Sequence, residues 1–270
     1  MPILNKDMSL CISLSGRPSN LGTRFHNYLY EELGLNFIYK AFSTDDLAGA
    51  IAGVRALGIR GCSVSMPFKE DVMKLVDEIE TSAAAIDSVN TIVNTGGRLV
   101  ASNTDFEAIA TLIKRHELDA SHSVLVRGSG GMAKAVVAAF RDAGFENLTV
   151  LARNEKAGQE LAQKYNYKFA AADPAPGSQI LVNVTPLGMD GAQADVQSFS
   201  DEHIAAAEAV FDVVAFPSQT PLILAAQQTG KPVITGAEVI ALQAAAQFEK
   251  YTGHSLSDEQ IARASEFSRQ

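Results

Sequence analysis

The sequence predicts an α/β protein with two lobes. Short runs rich in β-branched residues alternate with longer segments of helical periodicity along the chain, as in proteins built from parallel βαβ units. Of the 270 residues, 47% are hydrophobic and 20% are charged, a composition typical of a folded globular protein rather than a disordered or fibrous one. At about 150 residues per domain, this length predicts two domains with a cleft between them.

The N-terminal part of the chain predicts a small α/β lobe. Gly34 ends its first helix, and Gly96 and Gly97 form the turn of an antiparallel pair of strands. In chain order the predicted elements are a strand at 9–15, a helix at 24–33, a strand at 36–42, a helix at 45–57, a strand at 60–65, a helix around 70–76 and the antiparallel pair over 88–101.

A helix is predicted over 105–116, and there we expect the chain to cross into a second lobe. Thr104 and Glu107 fit the T-x-x-E capping box at its start. A strand, a glycine turn and a helix then follow in succession, as in a βαβ unit. The predicted elements are strands at 123–127, 147–152, 179–184, 209–214 and 232–235, a glycine turn at 128–131 with a helix to about 143, and an alanine-rich helix at 237–251.

The charge balance argues against polyanionic partners. The chain has 22 Lys and Arg residues against 31 Asp and Glu residues, a net charge of −9 at pH 7. We therefore expect no nucleic-acid or membrane partner, and a phosphate-bearing ligand needs a local positive group such as a helix N-terminus. Cys11 and Cys62 have neither metal-ligand nor disulfide spacing, and the start of the sequence has no signal-peptide pattern. These features predict reduced thiols, no metal site and a cytoplasmic protein.

A glycine-rich turn predicts a dinucleotide-binding site. Its six residues match G-x-G-x-x-A directly after a strand and at the start of a helix, where glycines allow a tight turn and close approach of a pyrophosphate. The helix N-terminus would then neutralise phosphate charge. A glycine turn without a ligand is the alternative interpretation. The candidate residues are Gly128, Ser129, Gly130, Gly131, Met132 and Ala133.

The residues after the next strand predict NADP rather than NAD. A site that prefers NAD usually has Asp or Glu there to bind the ribose 2′-hydroxyl. This chain has Arg153 and Asn154 instead, and a guanidinium can make two charge-assisted bonds to a 2′-phosphate. Arg127 and Lys156 are nearby basic residues, for which a solvated surface charge is the favoured interpretation.

Six further motifs occur in a fixed order along the chain. They are Ser-Val-Ser-Met-Pro-Phe-Lys-Glu at 63–70, Val-Asn-Thr at 89–91, Asn-Thr-Asp at 103–105, Leu-Val-Asn-Val-Thr-Pro-Leu-Gly-Met-Asp-Gly at 181–191, Thr-Pro-Leu-Ile at 220–223 and Gln-Ala-Ala at 243–245. This ordered set resembles the shikimate dehydrogenase family, and the resemblance extends from about residue 12 to residue 253. An ordered set is more specific than the glycine turn alone.

The resemblance implies both an architecture and a reaction. It implies a substrate and catalytic domain at 1–104, an NADP-binding Rossmann domain at 105–236 and C-terminal helices at 237–270 that return to the first lobe. The family reversibly reduces the ketone of 3-dehydroshikimate with NADPH, in aromatic amino acid biosynthesis. By motif, the resemblance assigns catalysis to Lys69 and Asp105, substrate binding to Asn90 and Gln243, and cofactor contacts to Thr185 and Gly236 in addition to the glycine turn, Arg153 and Asn154. A lysine ammonium suits this chemistry because negative charge grows on the carbonyl oxygen as hydride arrives.

The substrate-binding motifs depart from the family pattern. The family's Ser-x-Ser, four and six residues before the His of its His-Asn motif, is here Asn20 and Gly22. Ser63 and Ser65 replace the family's Asn and Thr before the catalytic lysine, while Phe106 replaces a Gly and Ala215 replaces a Tyr. We include Asn20, Gly22, Ser63 and Ser65 among the candidate substrate residues. Ser13 and Ser15 also form an S-x-S, but they lie seven residues too early.

These departures predict a shikimate-dehydrogenase-like paralogue with weak activity on shikimate and a related cyclic hydroxy acid as its substrate. An NADP-binding sensor or regulatory pseudoenzyme with the same fold is the alternative, and the retention of Lys69 and Asp105 argues against it. His26 is interpreted as a structural residue, whereas the remaining histidines are expected at the surface. A monomer and a homodimer both remain open. The remaining histidines are His116, His122, His203 and His254.

Overall fold

The computed structural model describes residues 3–270, which form twelve strands and ten α-helices. In chain order these elements are β1 (Ser9–Leu14), α1 (Leu21–Glu32), β2 (Phe37–Phe42), α2 (Leu47–Ala56), β3 (Gly61–Val64), a 3₁₀ helix (Asp71–Leu75), β4 (Glu78–Ile79), α3 (Thr81–Ala84), β5 (Thr91–Thr95), β6 (Arg98–Ser102), α4 (Thr104–Arg115), β7 (Val124–Arg127), α5 (Gly131–Asp142), β8 (Leu148–Leu151), α6 (Glu155–Lys164), β9 (Lys168–Ala170), β10 (Ile180–Asn183), α7 (Asp201–Ala206), β11 (Ala209–Asp212), α8 (Pro221–Gln228), β12 (Val233–Thr235), α9 (Gly236–Thr252) and α10 (Asp258–Arg269).

The chain divides into two compact units, each with its own sheet. One unit comprises the chain up to Thr104 together with Ala241–Gln270, and the other comprises Asp105–Ile240. The predicted α/β fold, with C-terminal helices that return to the first unit, is therefore confirmed. The functional boundaries of the substrate and NADP domains remain a prediction.

The first unit contains a mixed sheet in the strand order β2-β1-β3-β5-β6-β4. Strands β1, β2 and β3 run parallel, and β5 and β6 form the expected antiparallel pair. Because side chains alternate along a strand, the two faces of this sheet have different cores. On one face Ile12 and Cys62 pack against α2, whereas on the other Cys11 and Tyr39 pack against α1 and α9.

A row of hydroxyl side chains crosses the second of these faces. The strand register pairs Ser13 with Ser63, Ser63 with Thr91, and Thr91 with Ser102. Residues paired in this way point to the same side of a sheet. Strands β1, β3, β5 and β6 therefore present hydroxyl groups on one face of the sheet. The row lies near the ends of β1 and β3, where the loops that carry candidate site residues begin.

The second unit contains a fully parallel sheet in the order β12-β11-β10-β7-β8-β9. This is the doubly wound Rossmann order, in which the connections reverse direction between β7 and β10 and ligands bind at the carboxyl ends of the strands. Helices α6, α7 and α8 extend the predicted pattern, and each begins with a side-chain cap. No helix within residues 3–270 is long and apolar enough to cross a membrane.

Candidate functional site

Lys69 lies on the loop that follows β3. Its side chain is half-buried, and its carbonyl oxygen accepts a hydrogen bond from the Val89 N–H at 2.8 Å. The preceding residue, Phe68, packs against the core of the sheet, and its N–H donates to the Ser65 carbonyl at 3.0 Å. The lysine side chain therefore extends from a backbone that is fixed on both sides.

Asn90, directly before β5, ties this strand to the start of α4. Its Oδ1 accepts hydrogen bonds from the Thr91 hydroxyl at 2.7 Å, the Thr104 N–H at 2.8 Å and the Thr104 hydroxyl at 3.1 Å. Asn90 is 3% exposed, and its amide NH₂ takes no part in these three bonds. Asp105, the next residue of α4, is also buried, so the Asn90 side chain fixes the backbone from which the candidate carboxylate extends.

Helix α4 starts where the Thr104 and Glu107 motif predicts it, and the capping box itself stays a prediction. Helix α4 begins at Thr104 itself, and the Thr104 hydroxyl is occupied by Asn90 and Thr91. The N–H of Thr104 is satisfied by Asn90, fourteen residues earlier in the chain. A contact between distant segments thus holds this helix start, in addition to any local cap of the kind that the T-x-x-E spacing predicts.

Helix α9 presents two glutamines to the first unit. Gln247 is buried, and its Nε2 donates to the Thr91 hydroxyl at 3.0 Å and the Asn90 carbonyl at 3.3 Å. Gln243, the predicted substrate residue, is partly exposed and lies one turn earlier on the same helix. Residues four apart share a helix face, so Gln247 anchors the face that carries Gln243. Sequence reasoning missed Gln247, although the Gln-x-x-x-Gln spacing was a readable signal.

The four candidate substrate residues at which the sequence departs from the family pattern have different environments. Asn20 is exposed at the N-cap of α1 and makes no capping bond with its side chain, and Gly22 follows within the first turn. Ser65 is exposed at the end of β3, whereas Ser63 is half-buried and its hydroxyl lies 2.9 Å from the Tyr39 hydroxyl. Of these predicted residues, Ser63 alone has a described side-chain hydrogen bond.

The alternative S-x-S pair and His26 lie in the same unit. Ser13 is half-buried, and Ser15 Oγ is buried with no hydrogen-bond partner in the described structure. His26 is fully buried and stacks on the Tyr39 ring with centroids 4.4 Å apart. Burial lowers the pKa of His26 to about 3, so the imidazole is neutral and cannot act as an acid near neutral pH.

The glycine turn after β7 has the backbone shape that its sequence predicts. Gly128 has a φ of +128°, and a Cβ added there would lie 2.7 Å from Val184 Cγ2. Helix α5 begins at Gly131; its N-cap, Gly130, supplies no capping side chain, and no acidic residue lies in its first turn. Ala133 is fully buried. Of the remaining members, Ser129 is part of the turn and Met132 is in the first turn of α5.

The basic residues near this turn have different environments. Arg153 is exposed after β8, while the side chain of Asn154 caps α6 by accepting the Ala157 N–H at 3.1 Å. The interpretation of Arg127 as a solvated surface charge is wrong, because its guanidinium pairs with Asp173 and is only 19% exposed. Because the Arg127 guanidinium already pairs with Asp173, Arg153 is the better candidate to bind a 2′-phosphate.

A buried network joins the loops after β10 and β11. Asp212 is fully buried, and its carboxylate accepts hydrogen bonds from Asn183 Nδ2 at 3.0 Å, the Val214 N–H at 3.0 Å and the Thr220 hydroxyl at 2.7 Å. Burial raises the pKa of Asp212 to about 6, against the lowering effect of these donors. Asn183 and Thr220 belong to the motifs at 181–191 and 220–223, but the sequence did not show that Asp212 joins them, and this network holds two loops at the carboxyl edge of the sheet.

The network also fixes the remaining candidate cofactor residues. Thr185 donates its hydroxyl to Asn183 Oδ1 at 2.6 Å. Gly236 is buried at the start of α9, where an added Cβ would lie 2.3 Å from the Val214 carbonyl oxygen. No residue with a side chain fits there without a shift of the backbone.

These features of the second unit fit a dinucleotide with a 2′-phosphate. The turn at Gly128 has no room for a side chain, the N-terminal amides of α5 are left without a side-chain cap, and a basic residue, Arg153, follows β8. Helix N-termini of this kind bind phosphate groups. The glycine turn and the N-terminus of α5 would hold the pyrophosphate, and Arg153 the 2′-phosphate.

The expected surface position of His203 is wrong. His203 is 6% exposed; its Nδ1 lies 2.8 Å from the Ser200 hydroxyl and its Nε2 lies 3.0 Å from the Pro174 carbonyl. These partners satisfy a structural histidine at the start of α7. Cys11 and Cys62 are buried free thiols, and no group of three or more His, Cys, Asp or Glu residues within 3–270 could hold a metal ion.

The fold and these residues define a class of protein, in which a mixed α/β unit accompanies a Rossmann unit of dinucleotide-binding type. The model of the shikimate dehydrogenase substrate binding domain matches residues 19–92. The shikimate dehydrogenase-like protein of Haemophilus influenzae is 57% identical over 99% of both chains. The NADP(+) shikimate dehydrogenase of Pyrococcus abyssi is 34% identical over 89% of this chain and 91% of its own.

A solved structure gives the same result. Shikimate 5-dehydrogenase from Thermus thermophilus, in complex with NADP(H) and shikimate, aligns with a TM-score of 0.86 and 28% identity over 97% of this chain and all of its own. The chain therefore belongs to the shikimate dehydrogenase family.

Proposed function

We propose that the protein is an NADP-dependent dehydrogenase that transfers a hydride between NADP(H) and the C3 alcohol or ketone of a cyclic hydroxy acid. Shikimate or a close relative is the proposed substrate, with weak activity on shikimate itself. The observation that carries this proposal is the joint presence of Lys69 on its fixed loop and of a dinucleotide-type glycine turn in a member of this family.

The proposed chemistry divides between Lys69 and Asp105. When bound, the cofactor accepts the hydride from the alcohol carbon, or donates it to the ketone. The Lys69 ammonium donates a proton to the carbonyl oxygen during reduction and takes it back, as the amine, during oxidation. Asp105 orients the lysine and accepts a hydrogen bond from the same hydroxyl, and Asn90 and Gln243 bind the other hydroxyls of the ring.

Weak activity on shikimate is expected because two positions at the start of α1 have no hydroxyl. Asn20 presents an amide and Gly22 presents no side chain. Each lost hydrogen bond to a polar substrate group costs about tenfold to a hundredfold in catalytic efficiency. A cyclic hydroxy acid that differs from shikimate near its carboxylate would bypass this loss.

A screen of substrates tests the proposal. The purified protein is mixed with NADP⁺ and, in turn, shikimate, quinate, their aminated analogues and other cyclic hydroxy acids, and NADPH formation is followed by absorbance. We expect NADPH with at least one cyclic hydroxy acid and only slow formation with shikimate. Efficiency on shikimate as high as that of a dedicated biosynthetic enzyme would contradict the altered specificity.

The altered start of α1 also favours a second candidate, a sensor or regulatory pseudoenzyme that binds NADP without turnover. The same screen separates the two. Tight NADP⁺ binding by calorimetry, with no reduction by any of the acids, would support the sensor and exclude the dehydrogenase.

A further inference from the structure

The hydroxyl of Tyr39 lies against the one position of the first turn of α1 that has no side chain. A Cβ added at Gly22 would be 3.4 Å from Tyr39 Oη and 3.6 Å from Cε1. These are ordinary van der Waals distances for a methyl group, but a longer polar side chain at position 22 would have to share its space with the phenol. The glycine thus leaves the tip of Tyr39 room beside the helix.

Two residues further along α1 hold Tyr39 in place. The His26 ring stacks on the Tyr39 ring with an angle of 8° between the planes. The Asn27 side chain binds the Tyr39 backbone twice, donating from Nδ2 to the carbonyl oxygen at 2.8 Å and accepting the N–H at Oδ1 at 2.9 Å. Tyr39 is 2% exposed, so both its ring and its backbone are fixed.

The fixed phenol in turn contacts Ser63. The two hydroxyl oxygens are 2.9 Å apart, and Ser63 is half-buried whereas Tyr39 is buried. Burial raises the pKa of Tyr39 well above its usual value, so the phenol remains protonated. A serine hydroxyl otherwise rotates freely, and the bond to Tyr39, in which either oxygen can be the donor, limits the orientations open to it.

We propose that Tyr39 is a positioning residue of the substrate site, whose hydroxyl uses the space left by Gly22 to orient the Ser63 hydroxyl toward a polar group of the cyclic hydroxy acid. This inference rests on the proposed function, in which Ser63 contacts the substrate. It assigns to β2 a role in specificity that residues at the start of α1 cannot perform here.

A double-mutant cycle tests the inference. The variants are Tyr39→Phe, which keeps the stacked ring and removes only the hydroxyl, Ser63→Ala, and the two combined. Tyr30→Phe is the matched control, because Tyr30 belongs to the same buried aromatic cluster but its hydroxyl lies beside Cys11. For each protein we would measure kcat and KM for shikimate, KM for NADP⁺, and the Kd of shikimate by calorimetry in the presence of NADP⁺.

Tyr39→Phe and Ser63→Ala should each raise the KM and Kd of shikimate about tenfold, with kcat and the KM of NADP⁺ within about twofold of wild type. The double variant should be no worse than Ser63→Ala, because Tyr39 acts through Ser63. Tyr30→Phe should change none of these values. An unchanged KM in Tyr39→Phe, or fully additive effects in the double variant, would overturn the inference.

The two readouts separate this inference from the proposed function. If wild-type protein binds shikimate but oxidises no acid of the screen, and Tyr39→Phe weakens shikimate binding, the dehydrogenase proposal fails and the positioning role holds. If wild-type protein turns shikimate over and Tyr39→Phe changes nothing, the positioning role alone fails. If wild-type protein neither binds shikimate nor oxidises any acid of the screen, both are overturned.

Discussion

The turn from β1 to α1 and the turn from β7 to α5 lead into similar helices, but they differ in how strictly their geometry requires glycine. Each joins a parallel strand to a helix of 12 residues that has no side-chain cap and no acidic residue in its first turn. The β7 turn is defined by Gly128, whose positive φ and close neighbour Val184 exclude any side chain. The β1 turn has no comparable steric demand, and Gly22 tolerates an added Cβ.

This difference accounts for a glycine turn that keeps the family pattern while positions 20 and 22, at the start of α1, depart from it. A pyrophosphate is bound mainly by backbone amides, so the residues needed are those that allow the turn. A ring with hydroxyl and carboxylate groups is bound by side chains, and side chains can be exchanged between neighbouring elements. In the proposed site, Tyr39 and Ser63 would be such an exchange, from a helix to two strands.

The largest expected effect on stability comes from a substitution that disrupts the β7 turn. Gly128→Ala should lower the free energy of unfolding by about 2–5 kcal/mol, because an alanine is strained at this φ and its methyl group overlaps Val184. Gly22→Ala should change it by less than about 1 kcal/mol, in the stabilising direction, because alanine favours helix. Urea unfolding of both variants measures the contrast.

Gly130→Ala is the control for that comparison. No heavy atom lies within 4 Å of a Cβ added at Gly130, so the variant should unfold like wild type while binding NADP⁺ more weakly. Equal losses of stability in the Gly128, Gly130 and Gly22 variants would contradict a turn defined by sterics.

A smaller effect on stability distinguishes the hydrogen-bond network of Asp212 from that of Asn90. Asp212 in the second unit titrates, whereas Asn90 in the first does not. Because burial raises the Asp212 pKa from 3.8 to about 6, the folded protein binds a proton more tightly than the unfolded chain. The stability from this group is fully present below about pH 4 and is lost as pH rises through about 6, a change of about 2–3 kcal/mol.

Asp212→Asn should remove that part of the pH dependence. At low pH the variant should be about as stable as wild type, because its amide can keep Oδ1 toward the donors Asn183 and Val214 and turn its NH₂ to the Thr220 hydroxyl, as a protonated carboxyl does. Urea unfolding at several pH values between about 4 and 7 measures both effects. A wild type and a variant with parallel pH profiles would show that Asp212 is ionised throughout.

The smallest effect concerns cofactor preference. Arg153→Ala should reduce the preference for NADP⁺ over NAD⁺ by roughly tenfold, because a charge-assisted bond to the 2′-phosphate is lost at an exposed site. Lys156→Ala should leave the preference unchanged. The ratio of kcat/KM for the two cofactors measures it, and equal ratios in both variants would remove Arg153 from the site.

Most of the fold could be predicted from the sequence because its signals are local. Alternating strands and helices, the glycine turn, and the hairpin at Gly96 and Gly97 depend on residues close together in the chain. Lys69 and Asp105 could be proposed as catalytic residues because their motifs are short and occur in order. The β7 turn was predicted for the same reason, since its geometry requires glycine.

The features that sequence reasoning missed depend on contacts between distant segments. The N–H of Thr104 is satisfied by Asn90, fourteen residues earlier in the chain, and Nε2 of the buried His203 contacts the carbonyl of Pro174, 29 residues away. The contact of Tyr39 with Gly22 joins β2 to α1. No local pattern encodes such pairs, and they become visible only once the sheet register is known.

The central claim is that Lys69 supplies the proton for hydride transfer to or from NADP, and a variant pair tests it most directly. Lys74→Ala is the control, since Lys74 is 81% exposed on the adjacent 3₁₀ helix and pairs only with Asp71 among the described residues. With the best acid from the screen, Lys69→Ala should form NADPH about 10²–10⁴-fold more slowly than wild type, with NADP⁺ binding unchanged, and Lys74→Ala should match wild type. Equal NADPH formation by wild type and Lys69→Ala would contradict the account.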